Sequence, residues 1–364
     1  MKAASTWLHS LLLPGLLLLG CGLAQAEPYL AVQSGYRCST CHVNPTGGGL
    51  RSQFGTVYGS RILPMRPLPA DARGWSGALT QYLRLGADLR AAWTRSELPG
   101  GSPQQHARVD QLRAYAQASP VPGWLSLNVD ESLAPGRARA LEAYARLDLP
   151  RHGLYLKGGQ FYLPFGWRLQ DQSALVREVS GIGMTEADKG VELGFDGERW
   201  VAALDYTRGI ANAGGGAGHQ LTGQLVHVHD LWRVGTSATH VTTPAGNRSV
   251  AGLFAGLRNG SVAWLAEADA VSDSGYPEGT RRMLAALAEC DWRIGAGQNL
   301  KLDAEYHDPD RAIAQDQKVR WSLVYELTPV PFMQLRAGVR RYRGIPQNDF
   351  DNRRQFFIEL HVWL

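Results

Sequence analysis

From residue 79 to the C-terminus the chain is written in two-residue alternation. Leu83, Leu85, Ala87, Leu89, Ala91 and Trp93 share one face of an extended chain, and Arg84, Gly86, Asp88 and Arg90 share the other, because successive strand side chains point to opposite sides. Leu300, Leu302, Ala304 and Tyr306 oppose Lys301, Asp303, Glu305 and His307 in the same way. Val319, Trp321, Leu323, Tyr325 and Leu327 oppose Arg320, Ser322 and Glu326, with Val324 the apolar exception. The pattern predicts about sixteen strands, at 79–93, 107–118, 124–133, 138–149, 154–163, 189–196, 199–208, 219–230, 231–242, 249–258, 261–271, 281–294, 299–307, 317–328, 332–342 and 353–364.

A soluble sandwich alternates too, so the connections matter. They run short and long in turn. Asp196-Gly197-Glu198, Arg258-Asn259-Gly260 and Thr328 to Pro331 are short, whereas the stretches near 94–106, 164–188, 209–218, 272–280, 308–316 and 343–352 are longer. That is the rhythm of periplasmic turns and extracellular loops in an even-stranded membrane barrel. The polar faces carry both signs of charge on strand after strand, which a sandwich core could not hold. Trp93, Trp232, Trp292, Trp321, Tyr206 and Tyr306 fall toward strand ends, as interfacial aromatic girdles do. Beyond the N-terminal segment no apolar run approaches about 18 residues, so any spanning structure must be made of strands. The expected fold is an all-β, transmembrane antiparallel barrel over 75–364.

Two segments resemble features of bacterial outer-membrane proteins. Phe356, Ile358, Leu360, Val362 and Leu364 alternate with Phe357, Glu359, His361 and Trp363, which resembles the C-terminal signal of outer-membrane barrels, with Leu364 in place of the usual terminal aromatic. Gly159 to Gly166, GQFYLPFG, resembles the segment before the inward-folding third loop of trimeric, phosphate-selective-type porins. That resemblance implies a loop from Pro164 to Asp188 turned into the lumen, with Arg168, Asp171, Arg177, Glu178 and Lys189 lining a constriction; a solvated loop is the alternative.

The N-terminus has a different character. Lys2, the apolar stretch Leu11 to Leu19 and the small-residue site Ala24-Gln25-Ala26 read as a signal peptide over 1–26, with the mature chain beginning at Glu27. Leu18-Leu19-Gly20-Cys21 offers a competing lipobox reading that would acylate Cys21. A net charge of +4, nearly all of its positive side arginine and evenly spread, gives no footprint for a nucleic-acid partner. Cys290 stands alone on an outward face with Ala288 and Trp292 and reads as a small apolar residue.

Cys38-Ser39-Thr40-Cys41-His42 is the c-type haem attachment pattern. Two thiols three positions apart reach the two vinyl groups of one haem, and the adjacent imidazole meets the iron from the proximal side. A zinc site would need a second cysteine pair, and a redox dithiol a βαβ setting; the chain offers neither. Gly47-Gly48-Gly49 supplies a loop without bulk beside a flat cofactor, or simply a flexible turn, and Arg37 and Arg51 flank the motif as partners for propionates or as ordinary exposed arginines. The head, 27–74, is too short to bury a core of its own and needs the rest of the protein as a second wall. For the distal side of the iron the candidates are His361, facing the lumen near the chain end, then Met65 and Met184. Hydrogen bonding of His361 to water or a carboxylate is the competing expectation.

A haem motif directly after a signal peptide, Phe54-Gly55 shortly downstream, and a barrel filling the remainder resemble the outer-membrane cytochrome-porin fusions of iron-oxidising bacteria. Those fusions commonly carry a Phe-Pro pair before a Phe-Gly-Arg triplet, whereas here Asn44 to Gly49 fills the gap and Thr56 follows Gly55. The resemblance implies one covalent haem c, electron transfer across the outer membrane with oxidation of iron among its uses, a periplasmic carrier such as a soluble cytochrome, and an extracellular electron donor or acceptor. A diffusion porin with a structural or sensory haem, and a soluble periplasmic haem β-protein, stay open at this point.

Overall fold

The computed structural model describes residues 27–149, 151–209 and 218–364; the expected signal peptide, Cys21 included, and most of the loop near 209–218 lie outside them. Sixteen antiparallel strands close into one barrel, each paired with its sequence neighbours and the first with the last. They are β1 Leu83–Glu97, β2 Gln104–Val121, β3 Leu125–Ala134, β4 Arg139–Leu149, β5 Leu154–Phe161, β6 Asp188–Asp196, β7 Trp200–Thr207 and β8 His219–Val228. The second half is β9 Trp232–Thr243, β10 Gly246–Asn259, β11 Val262–Tyr276, β12 Gly279–Gly295, β13 Gln298–Asp308, β14 Lys318–Val330, β15 Met333–Arg343 and β16 Arg354–Trp363.

Differences from the expected strands have local causes. Leu79 to Tyr82 stay out of β1 because the Thr80 hydroxyl accepts hydrogen bonds from the backbone of Tyr82 and Leu83 at 3.1 and 3.0 Å, a turn that competes with the ladder. The expected long connection near 272–280 is instead a tight hairpin, with β11 and β12 paired out to Tyr276 and Gly279.

Alternation sorts two environments. Along β11, Ala263, Leu265, Glu267, Asp269 and Val271 are buried inside the barrel while Trp264 is exposed outside. Leu193, Leu204, Leu253, Leu302 and Trp321 continue an exposed apolar belt around the outer face. Exposed Trp124, Trp200, Trp232 and Trp292 ring the end with the short turns, and Trp93, Tyr206 and Trp321 lie toward the other. A continuous belt of this kind between two girdles is a surface built for hydrocarbon.

Two inserts fill the lumen. The head carries three short helices, α1 Pro28–Ser34, α2 Cys38–Cys41 and α3 Gln53–Arg61. It enters by the short-turn mouth. Arg37 pairs with Asp196 in the β6–β7 turn at 2.9 Å, Gln33 donates to the Ser261 carbonyl at 2.7 Å, and the Met65 amide donates to the Thr328 carbonyl at 2.8 Å. From the wall, the 162–187 connection with α4 (Leu175–Ser180) crosses inward to β11, β12 and β13. Tyr29 and Val32 of the head, Phe165, Trp167, Leu169, Val176 and Val179 of the connection, and Val226, Phe254 and Leu287 of the wall form one buried apolar cluster. The head that could not build a core alone therefore shares one with the barrel.

Ionic contacts complete the filling. Glu27 lies 3.3 Å from Lys301 and 3.7 Å from Arg336, and the Tyr29 hydroxyl donates to Glu326 at 3.0 Å. Between neighbouring strands Lys157 and Glu192 pair at 2.8 Å with both side chains fully enclosed. Removing one partner of such a pair strands a charge, which costs about 3–5 kcal/mol, whereas replacing both by apolar groups is far milder. Lys157→Met should therefore lower the denaturant midpoint of the detergent-solubilised barrel sharply, and Lys157→Met with Glu192→Leu should recover most of it. Heat-modifiable electrophoretic mobility across a urea series reads both.

Candidate functional site

The attachment motif forms α2, whose first turn puts Cys38 and Cys41 on one side and leads directly into His42. The chain then reverses through 43–50 and returns antiparallel, so that Arg51 pairs with His42 across a short bridge. Ser52 caps α3 by accepting from the Gly55 amide at 3.0 Å and donates its hydroxyl to the Thr40 carbonyl at 2.6 Å. Gly55 is needed there, since a Cβ would collide with the Cys41 carbonyl. The reversal is held by Asn44, which donates to Glu142 of β4 at 3.1 Å, and by Gly47, Gly48 and Gly49, all at positive φ. The glycines are thus a constrained left-handed run.

Cys38, Cys41 and His42 open on one cavity whose far walls are Trp167, Val226, Val228 and Phe254. Both cysteines are free thiols. His42 is 3 % exposed, and its ring nitrogens have no side-chain partner, only the nearby backbone of Gly49 and Gly48. Burial first, then the positive charge of Arg51, pushes its pKa down to about 3, so the imidazole is neutral and keeps a lone pair. Burial raises the Cys41 thiol to about 11, with Arg51 opposing. A buried imidazole without a side-chain partner is poorly satisfied. The donor set fits a haem: a neutral imidazole beside two thiols, before an apolar slot with aromatic walls.

The other expected ligands lie elsewhere. His361 faces the lumen as its strand parity implies, but its Nε2 is 3.2 Å from Asp88, its Nδ1 is 3.4 Å from Gln334, and its ring stacks on Trp363. It does not line the cavity. Met65 is 44 % exposed and packs on the β12–β13 turn, where its amide is tied to Thr328. Met184 is buried outside the cavity wall, behind the glycine run, so close that a Cβ on Gly48 would come within 3.1 Å of its sulfur.

The loop residues divide likewise. Arg168 reaches the head and donates to the Thr46 hydroxyl at 2.7 Å; Asp171 binds Arg320 and Arg340 at 2.9 Å each; Arg177 is buried against the Ile182 carbonyl. They fasten the filling rather than rim an open constriction. Glu178 is exposed beside Lys318 at 3.3 Å, and Lys189 shares the outward face of β6 with Val191 because that strand begins at Asp188. Arg233, inward on β9 and donating to the Ala31 carbonyl at 2.8 Å, was not anticipated, although its lumen parity signals it.

Gly48→Ala should lower stability by about 1–2 kcal/mol for the left-handed backbone alone, with an added loss because the Cβ would meet Met184 Sδ at 3.1 Å and Arg168 Cδ at 3.2 Å. Gly123 has the same φ of 79° but open space around it, so Gly123→Ala isolates the backbone part. A larger midpoint shift for Gly48→Ala in urea unfolding is the expected difference.

No protein-family model and no curated protein matches this sequence. Solved structures do. The outer membrane channel DcaP of Acinetobacter baumannii aligns with a TM-score of 0.62 at 12 % identity, over 78 % of this chain and 97 % of that one. The anion-selective porin from Comamonas acidovorans gives 0.61 at 8 % identity, over 78 % and 99 %. A loop-deleted OmpT, an outer membrane protein of Vibrio cholerae, gives 0.62 at 11 % identity, over 78 % and 99 %. At such identities the likeness is one of fold: this chain has the architecture of a sixteen-stranded outer-membrane porin.

Proposed function

We propose that this protein is an outer-membrane electron-transfer protein, in which a porin-like barrel encloses one haem c bound through Cys38 and Cys41 with His42 on the proximal side of the iron. The observation that carries the reading is His42, neutral and buried with no side-chain partner on either ring nitrogen, beside two free thiols. When bound, the haem supplies a one-electron ferric/ferrous couple. The chain's own residues do the rest. α2 presents the thiols, Glu142 and Asn44 fix the reversal that aims His42, and Trp167, Phe254 and Val226 keep bulk water from the slot. The apolar belt and the porin likeness support placement in the outer membrane and speak against a soluble β-protein. Head and termini at the short-turn mouth support a periplasmic electron carrier, such as a soluble cytochrome, on that side, with the extracellular donor or acceptor on the other. This is the arrangement implied by the resemblance to cytochrome-porin fusions, with oxidation of iron as the activity to test.

A second reading, an open diffusion porin, is favoured by the likeness to the anion-selective porin. Against it stands the lumen, where head, inward connection and wall share one core. The readings separate in two measurements. Mass spectrometry of protein made with haem-attachment machinery should show one added haem, lost when Cys38→Ala and Cys41→Ala are combined, and its absorption bands should change on reduction by ferrous iron or a soluble surrogate. An unmodified mass would sink the haem reading. In planar bilayers the purified protein should conduct far less than an open sixteen-stranded porin; full-sized conductance would favour the diffusion porin.

A further inference from the structure

The cavity that holds Cys38, Cys41 and His42 is also walled by Arg37, Arg51, Arg168 and Arg233. They come from the head, the inward connection and β9, so the convergence is a product of the fold. A guanidinium stays charged in a protein, and enclosing it without a counter-charge is expensive. Arg37 has Asp196 at 2.9 Å. Among the described residues no carboxylate oxygen lies within the 4.0 Å of an ion pair from Arg51, Arg168 or Arg233.

Arg168 donates to the Thr46 carbonyl at 3.1 Å, the Thr46 hydroxyl at 2.7 Å and the Leu163 carbonyl at 3.2 Å, all neutral acceptors. Arg233 donates to the carbonyls of Ala31 and Tyr36 at 2.8 and 2.5 Å. Arg51 is 6 % exposed, and its Nη2 is buried with no acceptor at all. Burial pushes the Arg51 guanidinium down to about 10, with the more distant Asp88 carboxylate opposing. The cavity's one acidic wall residue, Glu27, is already taken up by Lys301 and Arg336. Two buried cations and a half-buried third thus line the cavity without a carboxylate in ion-pair contact among the described residues.

We propose that Arg51, Arg168 and Arg233 form the anion-binding side of this cavity and hold the two propionate carboxylates of the tetrapyrrole, with Arg51 the principal anchor because its Nη2 is fully buried without an acceptor. The assignment rests on the haem reading above. It separates these three from Arg37, whose charge Asp196 already meets. Planar guanidinium donors suit carboxylates in this way. A cation held against a propionate also favours the ferrous state, since the iron carries one positive charge fewer there.

The test uses the full-length, haem-loaded protein. Arg51→Gln, Arg168→Gln and Arg233→Gln should each retain the haem mass, because the thioethers remain. Each should shift the ferric/ferrous ratio at fixed potential toward ferric, by about tenfold for Arg51→Gln, equal to 59 mV in a one-electron couple. Arg258→Gln is the comparison: that guanidinium also touches the head, at the Gln33 carbonyl, but does not wall the cavity, and its ratio should stay put. Where a glutamine variant does not fold, the lysine variant at the same position keeps charge and bulk. Its propionate bending bands in the resonance Raman spectrum should move, because the donor geometry changes. Haem present, with ratio and bands unmoved across all three positions, would overturn the assignment and leave the haem reading intact. A wild-type protein without haem would instead remove the reading on which it rests.

Discussion

The structure depends on one constraint: a strand in a membrane barrel has an outer face that must be mostly apolar and an inner face that carries most of what is polar. In a wide porin, water answers the inner face. Here it is answered by protein. Glu27 meets Lys301 and Arg336, Tyr29 meets Glu326, Asp171 meets Arg320 and Arg340, and Trp167 lays its amide on Glu267. Because enclosed charges are tolerated only in pairs, the charges written into β12 to β16 also specify what must fill the space between them. Head and inward connection are therefore counter-surfaces to the wall rather than domains resting in a container.

That mutual dependence explains why the cavity lies where it does. The head brings the thiols and His42, but the opposite wall belongs to strands and to a connection more than a hundred residues away. The positive-φ glycines pack between Cys38 on one side and Met184 and Arg168 on the other, so the head's geometry is set by contacts it does not make with itself. A segment of this length would not hold such a reversal alone in water.

How much of this was legible in the sequence follows from range. Two-residue alternation is a local signal with a physical origin on both faces, and it places all sixteen strands, the inward parity of Asp88, Arg90 and His361, and the outward position of Cys290. Strand ends are decided by turn chemistry, so Thr80 removes four residues from β1. The Cys38, Cys41 and His42 spacing is legible because it is local. What surrounds it is not: whether His361 approaches the cavity depends on Asp88, 273 residues distant in the chain. Arg233 looks like any other lumen arginine until the head is docked. Lys189 shows the limit of loop resemblance, since one position of parity turns it from the lumen to the outer face.

The closed register has a consequence in time. Cys38 and Cys41 look into a space bounded by β7, β8, β9 and β10 and by the inward connection, and the barrel is sealed only when β1 pairs with β16 from Asp88 and Trp363 to Glu97 and Arg354. On the proposed haem reading, any machinery that modifies those thiols must reach them before the head is seated in the mouth. Docking of the head would then come last, and a chain whose head seats early would keep its thiols out of reach.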